Sequence, residues 1–147
     1  MRLIFNVLFL LIGTFGFGQA VDYNTKGGYA VEGYDVVSYF QGQPVEGKKE
    51  FTTTYEGTKF KFATKAHLEI FQSDPTAYLP QYGGYCAYAV AINGKKVSVD
   101  PLTYEIREDK LYLFYNKGKN NTLEFWRNES PNELVSRADK NWEQIKN

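Results

Sequence analysis

The chain has one cysteine, one histidine and one methionine among its 147 residues. A single cysteine excludes an internal disulfide, so Cys86 is a buried small side chain, a free thiol with a chemical role, or half of an intermolecular bridge. The only methionine is Met1, which argues against a methionine-rich copper carrier. Metal or thiol chemistry would therefore depend on Cys86 and on His67, the only histidine.

An excess of charge of one sign is also missing. The 17 lysines and arginines are balanced by 17 aspartates and glutamates, so no basic surface for nucleic acid or anionic membrane is predicted. Aromatic residues, in contrast, are abundant, with 12 tyrosines and 11 phenylalanines. This composition favours a small core built from large side chains.

The N-terminus has the pattern of an export signal. Arg2 precedes an almost unbroken apolar run from Leu3 to Phe17, and Gly18-Gln19-Ala20 provides small residues for signal peptidase. The run is short for a membrane span of about 20 residues, and no later segment is apolar enough to span. We therefore predict a signal peptide over residues 1–20, and a periplasmic or secreted domain over 21–147 that is not an integral membrane protein.

The rest of the chain predicts a compact α+β domain without an internal repeat. Alternating bulky and polar residues around Glu56-Gly57 and Glu108-Asp109 predict antiparallel β-hairpins at about 50–63 and 103–115. Thr64 is a suitable cap for a helix at about 64–73. A second helix, amphipathic and C-terminal, is predicted at about 131–145 from the cap pattern Ser130-Pro131-Asn132-Glu133 and an apolar stripe. The stripe consists of Leu134, Ala138, Trp142 and Ile145.

Several of these segments resemble YHS-domain proteins, most closely the small exported bacterial members. The resemblance runs from about Gly33 to Trp142 and implies a compact α+β domain. It also implies a link to metal binding, because the family includes modules attached to copper-transporting ATPases. The residues that carry it are Gly33-Tyr34-Asp35, Phe62-Ala63-Thr64, Phe71, Pro75, Tyr78, Gly83-Gly84-Tyr85-Cys86-Ala87, Asp100-Pro101 and Lys110-Leu111-Tyr112-Leu113.

The chain departs from the family at one informative position. Metal-associated members carry a Cys-Ser-x-x-Cys run after the second strand, and here the matching residues are Ala63-Thr64-Lys65-Ala66-His67. Both cysteines are missing, and His67 stands in the place of the second. The family's cysteine run is thus not carried over, and the leading hypothesis depends on the chain's only cysteine and only histidine: a copper or zinc ion bound by Cys86 and His67, since a thiolate and an imidazole are good ligands for both metals.

Two other functions remain open. In a thiol-dependent enzyme, Cys86 in the first turn of a helix would be the nucleophile, and His67 would be a base oriented by Asp35 or Asp100. In a metal-free module for a small molecule or a partner protein, tyrosines would line a cleft. The candidate ligand-binding residues are Tyr34, Asp35 and Tyr85.

Overall fold

The computed structural model describes residues 19–147, so the predicted export signal lies almost entirely outside the described residues. Short helices and small sheets alternate along the chain, which confirms the predicted α+β class. The strands are β1 Thr25–Lys26, β2 Tyr29–Ala30, β3 Lys48–Tyr55, β4 Thr58–Phe62, β5 Asp100–Arg107, β6 Lys110–Phe114, β7 Asn116–Lys117 and β8 Asn120–Asn121. The helices are α1 Val36–Tyr39, α2 Lys65–Ser73, α3 Ala87–Asn93, α4 Thr122–Asn128 and α5 Pro131–Ile145.

Both predicted hairpins are present. β3 pairs antiparallel with β4, and β5 pairs antiparallel with β6. Their two-residue turns have positive φ at both positions, 47° and 80° at Glu56-Gly57 and 49° and 59° at Glu108-Asp109. Such turns match the right-handed twist of the strands they connect. β4 continues into a four-stranded sheet of order β1-β2-β4-β3, whereas β5 and β6 form a sheet of their own.

The two predicted helices are also present, as α2 and α5. Thr64 caps α2 by accepting a hydrogen bond from the His67 backbone N–H at 3.1 Å. Ser130 is the N-cap residue of α5, but its side chain makes no capping bond, so this part of the predicted cap is wrong. Because Pro131 is the first helical residue, the helix already has one N–H fewer to satisfy there.

The backbone contains a repeat that the sequence did not reveal. Three consecutive residues with positive φ precede α1, with angles of 52°, 54° and 81° over Val31–Gly33. Three more precede α3, with angles of 55°, 59° and 82° over residues 82–84. Positive φ is rare for non-glycine residues and exceptional for a β-branched one such as Val31, so two such turns in matching places are a distinctive feature.

The segments after the two turns also correspond. Each leads through a helix to a hairpin with strands of eight and five residues. In each hairpin the register shifts at the same point, between Lys48 and Thr52 and between Asp100 and Tyr104. The chain thus contains two copies of one turn–helix–hairpin–helix arrangement, here called the first unit (residues 31–73) and the second unit (residues 82–128). The conformation recurs on diverged side chains, so the sequence itself shows no repeat, as expected.

Helix α5 covers the second unit. Leu134 and Ala138 are buried against it, while Trp142 and Ile145 are only partly covered. Asn141 on the same helix donates hydrogen bonds to the carbonyls of α3 at its C-terminal end, at 2.8 Å to Val90 and 3.3 Å to Ala91. Within residues 19–147, no helix has the length and apolar character needed to cross a membrane.

Candidate functional site

Asp35 is the N-cap residue of α1 and is fully buried. Its Oδ1 atom accepts hydrogen bonds from two backbone N–H groups of the first helical turn, those of Val37 at 2.9 Å and Ser38 at 3.2 Å. Aspartate is a favoured N-cap residue because its oxygens satisfy N–H groups that have no partner within the helix. The Gly33-Tyr34-Asp35 segment therefore places a carboxylate inside the fold.

The second carboxylate oxygen of Asp35 links α1 to the segment that follows β4. Oδ2 of Asp35 accepts a hydrogen bond from the Ala63 backbone N–H at 2.9 Å and lies 2.6 Å from Nδ1 of His67. His67 is in the first turn of α2, so the contact ties the start of one helix to the start of the next. Of the two carboxylates that the sequence offered as partners of His67, Asp35 is the one in contact.

The contacts of the His67 ring assign a hydrogen-bonding role to each of its two nitrogens. An ionised carboxylate only accepts hydrogen bonds, so the proton between Asp35 and His67 belongs to Nδ1. The other ring nitrogen, Nε2, lies 3.1 Å from the side-chain nitrogen of Gln41, which can only donate. Nε2 is therefore an acceptor with a lone pair directed toward the exposed Gln41, and the His67 side chain keeps 15% of its surface in solvent.

This arrangement is the one that metal-binding and proton-accepting histidines use. A carboxylate on one ring nitrogen fixes the tautomer and the ring orientation, and it makes the other nitrogen a better ligand. Among the described residues, every buried side-chain nitrogen and oxygen has a hydrogen-bond partner. The buried Asp35 carboxylate is therefore fully satisfied while it supports His67. The first unit thus presents one oriented imidazole near its surface.

Cys86 occupies the corresponding position in the second unit. Like Asp35, it is fully buried and is the residue before a helix, here α3. The Asp35 N–H donates to the Val45 carbonyl at 2.9 Å, and the Cys86 N–H donates to the Val97 carbonyl at the same distance. The two candidate residues therefore stand at equivalent points of the two copies.

The sulfur of Cys86 has its own partner. Sγ lies 3.3 Å from the hydroxyl oxygen of Thr122, and that hydroxyl donates to the Tyr115 carbonyl at 2.7 Å. Since the Thr122 hydroxyl has only one proton, the Cys86 S–H is the donor in the first contact. Cys86 precedes α3 rather than lying in its first turn, and it is a covered thiol instead of an exposed nucleophile.

Cys86 and His67 share no hydrogen bond among the described residues: the sulfur contacts Thr122, and the ring contacts Asp35 and Gln41. Residues 19–147 also contain no group of three or more histidine, cysteine, aspartate or glutamate side chains that could hold a metal ion. A closed zinc site with four protein ligands does not fit this donor set. An open site anchored on His67 does fit, and ligation by Cys86 stays a prediction.

The candidate tyrosines follow the two left-handed turns. Tyr34 is partly buried, and burial together with the nearby Glu46 carboxylate raises its pKa. The Tyr85 hydroxyl donates to Asp22 at 3.1 Å, and Lys96 binds the same carboxylate at 2.8 Å. Burial and the bond to Asp22 raise the pKa of Tyr85 to about 12, so its hydroxyl keeps its proton. A ligand-binding role for either tyrosine stays a prediction.

Sequence reasoning missed the two side chains that complete these contacts, Gln41 and Thr122. Gln41 lies in a loop, and Thr122 begins α4 after the small β7–β8 hairpin. Neither residue has a local sequence signal of its own. The sequence offered one signal for the site as a whole, namely Asp35, a capping residue followed by apolar Val36 and Val37 that indicates the start of a helix.

The comparison with protein families identifies the first unit. The model of the YHS domain matches residues 36–82, from the start of α1 into the second left-handed turn. The predicted resemblance to YHS-domain proteins is therefore confirmed over this range. His67 lies within the matched range, Asp35 directly precedes it, and Cys86 lies beyond its end. No curated protein and no solved structure matches the chain. YHS domains are associated with metal-binding modules, copper among the metals.

Proposed function

We propose that this protein is a binding module for a transition-metal ion, copper or zinc, and that Nε2 of His67 is the anchoring ligand. The contact that carries the proposal is the 2.6 Å bond between Nδ1 of His67 and the buried Asp35 carboxylate. It holds the ring in the tautomer that leaves Nε2 free to donate its lone pair to a metal. The YHS domain over residues 36–82 supports the same class of ligand.

The remaining coordination positions would be open or supplied from nearby. Gln41 is exposed, and its amide nitrogen lies against Nε2 of His67. Rotation of this amide would replace the nitrogen with the amide oxygen, which could then bind the metal. The rest would come from water, a partner molecule, or Cys86 as predicted from the sequence. Ligation by Cys86 requires the S–H to lose its proton and its contact with Thr122. An open site suits a module that receives and releases a metal rather than one stabilised by it.

Export belongs to the same proposal. Cleavage after Ala20 would require an accessible peptide bond, and Gln19 and Ala20 are exposed. The chain joins the folded domain immediately afterwards, where the Asp22 N–H donates to the Lys146 carbonyl at 2.8 Å. We therefore propose a periplasmic or secreted protein that begins at Val21. Intact-mass measurement on protein from the native host tests this, and retention of residues 1–20 on the exported protein would contradict it.

The metal proposal is tested by competition titrations against chelators, with Zn(II) and, under reducing conditions, with Cu(I). His67→Ala should remove specific binding of both metals. Asp35→Asn should weaken binding about 10–100-fold, which is the usual effect of losing the group that orients a ligand histidine. Asp74→Asn, at an exposed carboxylate, is the matched control and should bind like the unmodified protein. Uptake should fall in acid because the imidazole must be neutral to bind.

Cys86→Ser decides the second ligand. If Cys86 completes the site, this variant loses tight Cu(I) binding, and X-ray absorption of the metal-loaded native protein shows a sulfur neighbour at about 2.3 Å. If Cys86→Ser binds like the native protein, His67 binds without it. Metal affinity that is unchanged by His67→Ala would contradict the proposal in either case.

A further inference from the structure

A groove lies where the two units meet; its lining does not include His67, and the proposed metal function does not require it. Its volume is about 410 Å³, within the range of about 300–1,000 Å³ typical of small-molecule sites. The first unit contributes one wall from the end of α1, and the second contributes the other from β5 and α4. The lining residues used below are Tyr39, Phe40, Tyr104, Glu105 and Arg127.

The aromatic walls are held in place before any ligand arrives. The Tyr39 hydroxyl donates to the Pro101 carbonyl at 2.7 Å, which links the first unit to the second. The Tyr39 and Tyr104 rings meet edge to face, with centroids 5.0 Å apart. Phe40 packs in the same manner on Tyr78, at 5.3 Å. A preformed aromatic surface reduces the ordering cost of binding, and it favours a flat apolar group packed against the partly exposed rings of Phe40 and Tyr104.

The charged end of the groove is built on a partly buried carboxylate. Glu105 accepts hydrogen bonds from Nε of Arg107 at 2.7 Å, from Nε of Arg127 at 3.3 Å and from the Trp126 indole at 3.2 Å. Only 11% of the Glu105 side chain is exposed, whereas 56% of Arg127 is exposed. Two guanidinium groups share this one carboxylate, so the ion pair with Glu105 does not neutralise both of them.

Arg127 is the group that presents positive charge to the groove. Its Nε is bound to Glu105, and its two terminal nitrogens have no hydrogen-bond partner within residues 19–147. Terminal guanidinium nitrogens form paired, charge-assisted hydrogen bonds with a carboxylate, whereas a neutral alcohol offers only one uncharged oxygen. We propose that the groove binds a small aromatic carboxylate, with its ring against Phe40 and Tyr104 and its carboxylate on Arg127.

Naphthoate is a suitable probe, and naphthylmethanol, which has the same ring system but no charge, is the control ligand. Titration of nitrogen-15-labelled protein with naphthoate should give saturable amide shifts that are confined to α1, β5 and α4. Naphthylmethanol should bind about ten- to a hundredfold more weakly, because a charge-assisted hydrogen bond contributes about that much. This mapping uses the unmodified protein, so it does not depend on how any variant folds.

Arg127→Gln should reduce naphthoate affinity by the same factor of about ten to a hundred. Arg137→Gln removes an equal charge from an exposed position on α5 and should leave the affinity unchanged. Shifts that do not saturate or that scatter over the protein would overturn the proposal. Equal binding of naphthoate and naphthylmethanol, or an Arg127→Gln variant that binds like the native protein, would overturn the carboxylate assignment. None of these outcomes depends on metal binding at His67.

Discussion

Replacing Asp35 with asparagine tests whether its buried carboxylate organises the first unit. The side chain accepts four hydrogen bonds, two through each oxygen. Asparagine has nearly the same shape but only one acceptor oxygen, and its amide nitrogen only donates. If the remaining oxygen keeps the bonds to Val37 and Ser38, the amide nitrogen replaces Oδ2. It then faces the Ala63 N–H and the His67 ring.

The cost follows from these two contacts. The His67 ring can shift its proton from Nδ1 to Nε2 and accept a bond from the new amide, so that contact is recovered. The Ala63 N–H cannot adapt, and it loses an acceptor that carries a charge. A hydrogen bond to a charged group contributes about 1.5–3 kcal/mol, so Asp35→Asn should lower the free energy of unfolding by about that amount.

Urea denaturation measures this change, with Asp74→Asn as the control. Asp74 is exposed, so its substitution should change the free energy of unfolding by less than about 0.5 kcal/mol. The m-values of both variants should match that of the native protein if only stability has changed. If Asp35→Asn is as mild as the control, the carboxylate does not satisfy these donors in solution, and the account of the first unit is wrong.

Three further predictions concern the rest of the fold. Trp126→Ala should lower the free energy of unfolding by about 3–5 kcal/mol because Trp126 is fully buried. Trp142→Ala should lower it by less because that ring is partly exposed, and equal losses in chemical denaturation would contradict this. Gly83→Ala should destabilise more than Gly57→Ala: both have positive φ, but only a Cβ at Gly83 meets a backbone carbonyl, at 2.5 Å. Cys86 should react with iodoacetamide only when the protein unfolds, and rapid labelling of native protein would refute its burial.

The sequence predicted the elements whose signals are local. The hairpins follow from alternation around two-residue turns, and α5 follows from an apolar stripe that begins after Pro131. The apolar stripe of α5 indicated Trp142 as the core tryptophan, whereas helix α4, which carries the fully buried Trp126, was not predicted. Trp126 is enclosed by Tyr112 and Phe114 of β6, a contact that only the packed structure supplies.

The site was harder to predict for the same reason. The pairing of Asp35 with His67 was one of two options from the sequence, and the contacts of His67 with Gln41 and of Cys86 with Thr122 join distant segments. The repeat was hidden because the left-handed turns oppose local preference: nothing in Val31 or Tyr82 predicts positive φ. Such conformations are imposed by the surrounding packing.

The single histidine allows a direct test of the central claim. Protein labelled with nitrogen-15 at histidine carries one imidazole, so its two ring nitrogens can be observed without overlap. In the metal-free protein, the signals should show a protonated Nδ1 and an unprotonated Nε2, as the contacts with Asp35 and Gln41 require. One equivalent of Zn(II) should shift the Nε2 signal and leave Nδ1 protonated. A proton on Nε2 in the metal-free protein, or an Nε2 signal that does not respond to zinc, would contradict the claim that His67 is the anchoring ligand.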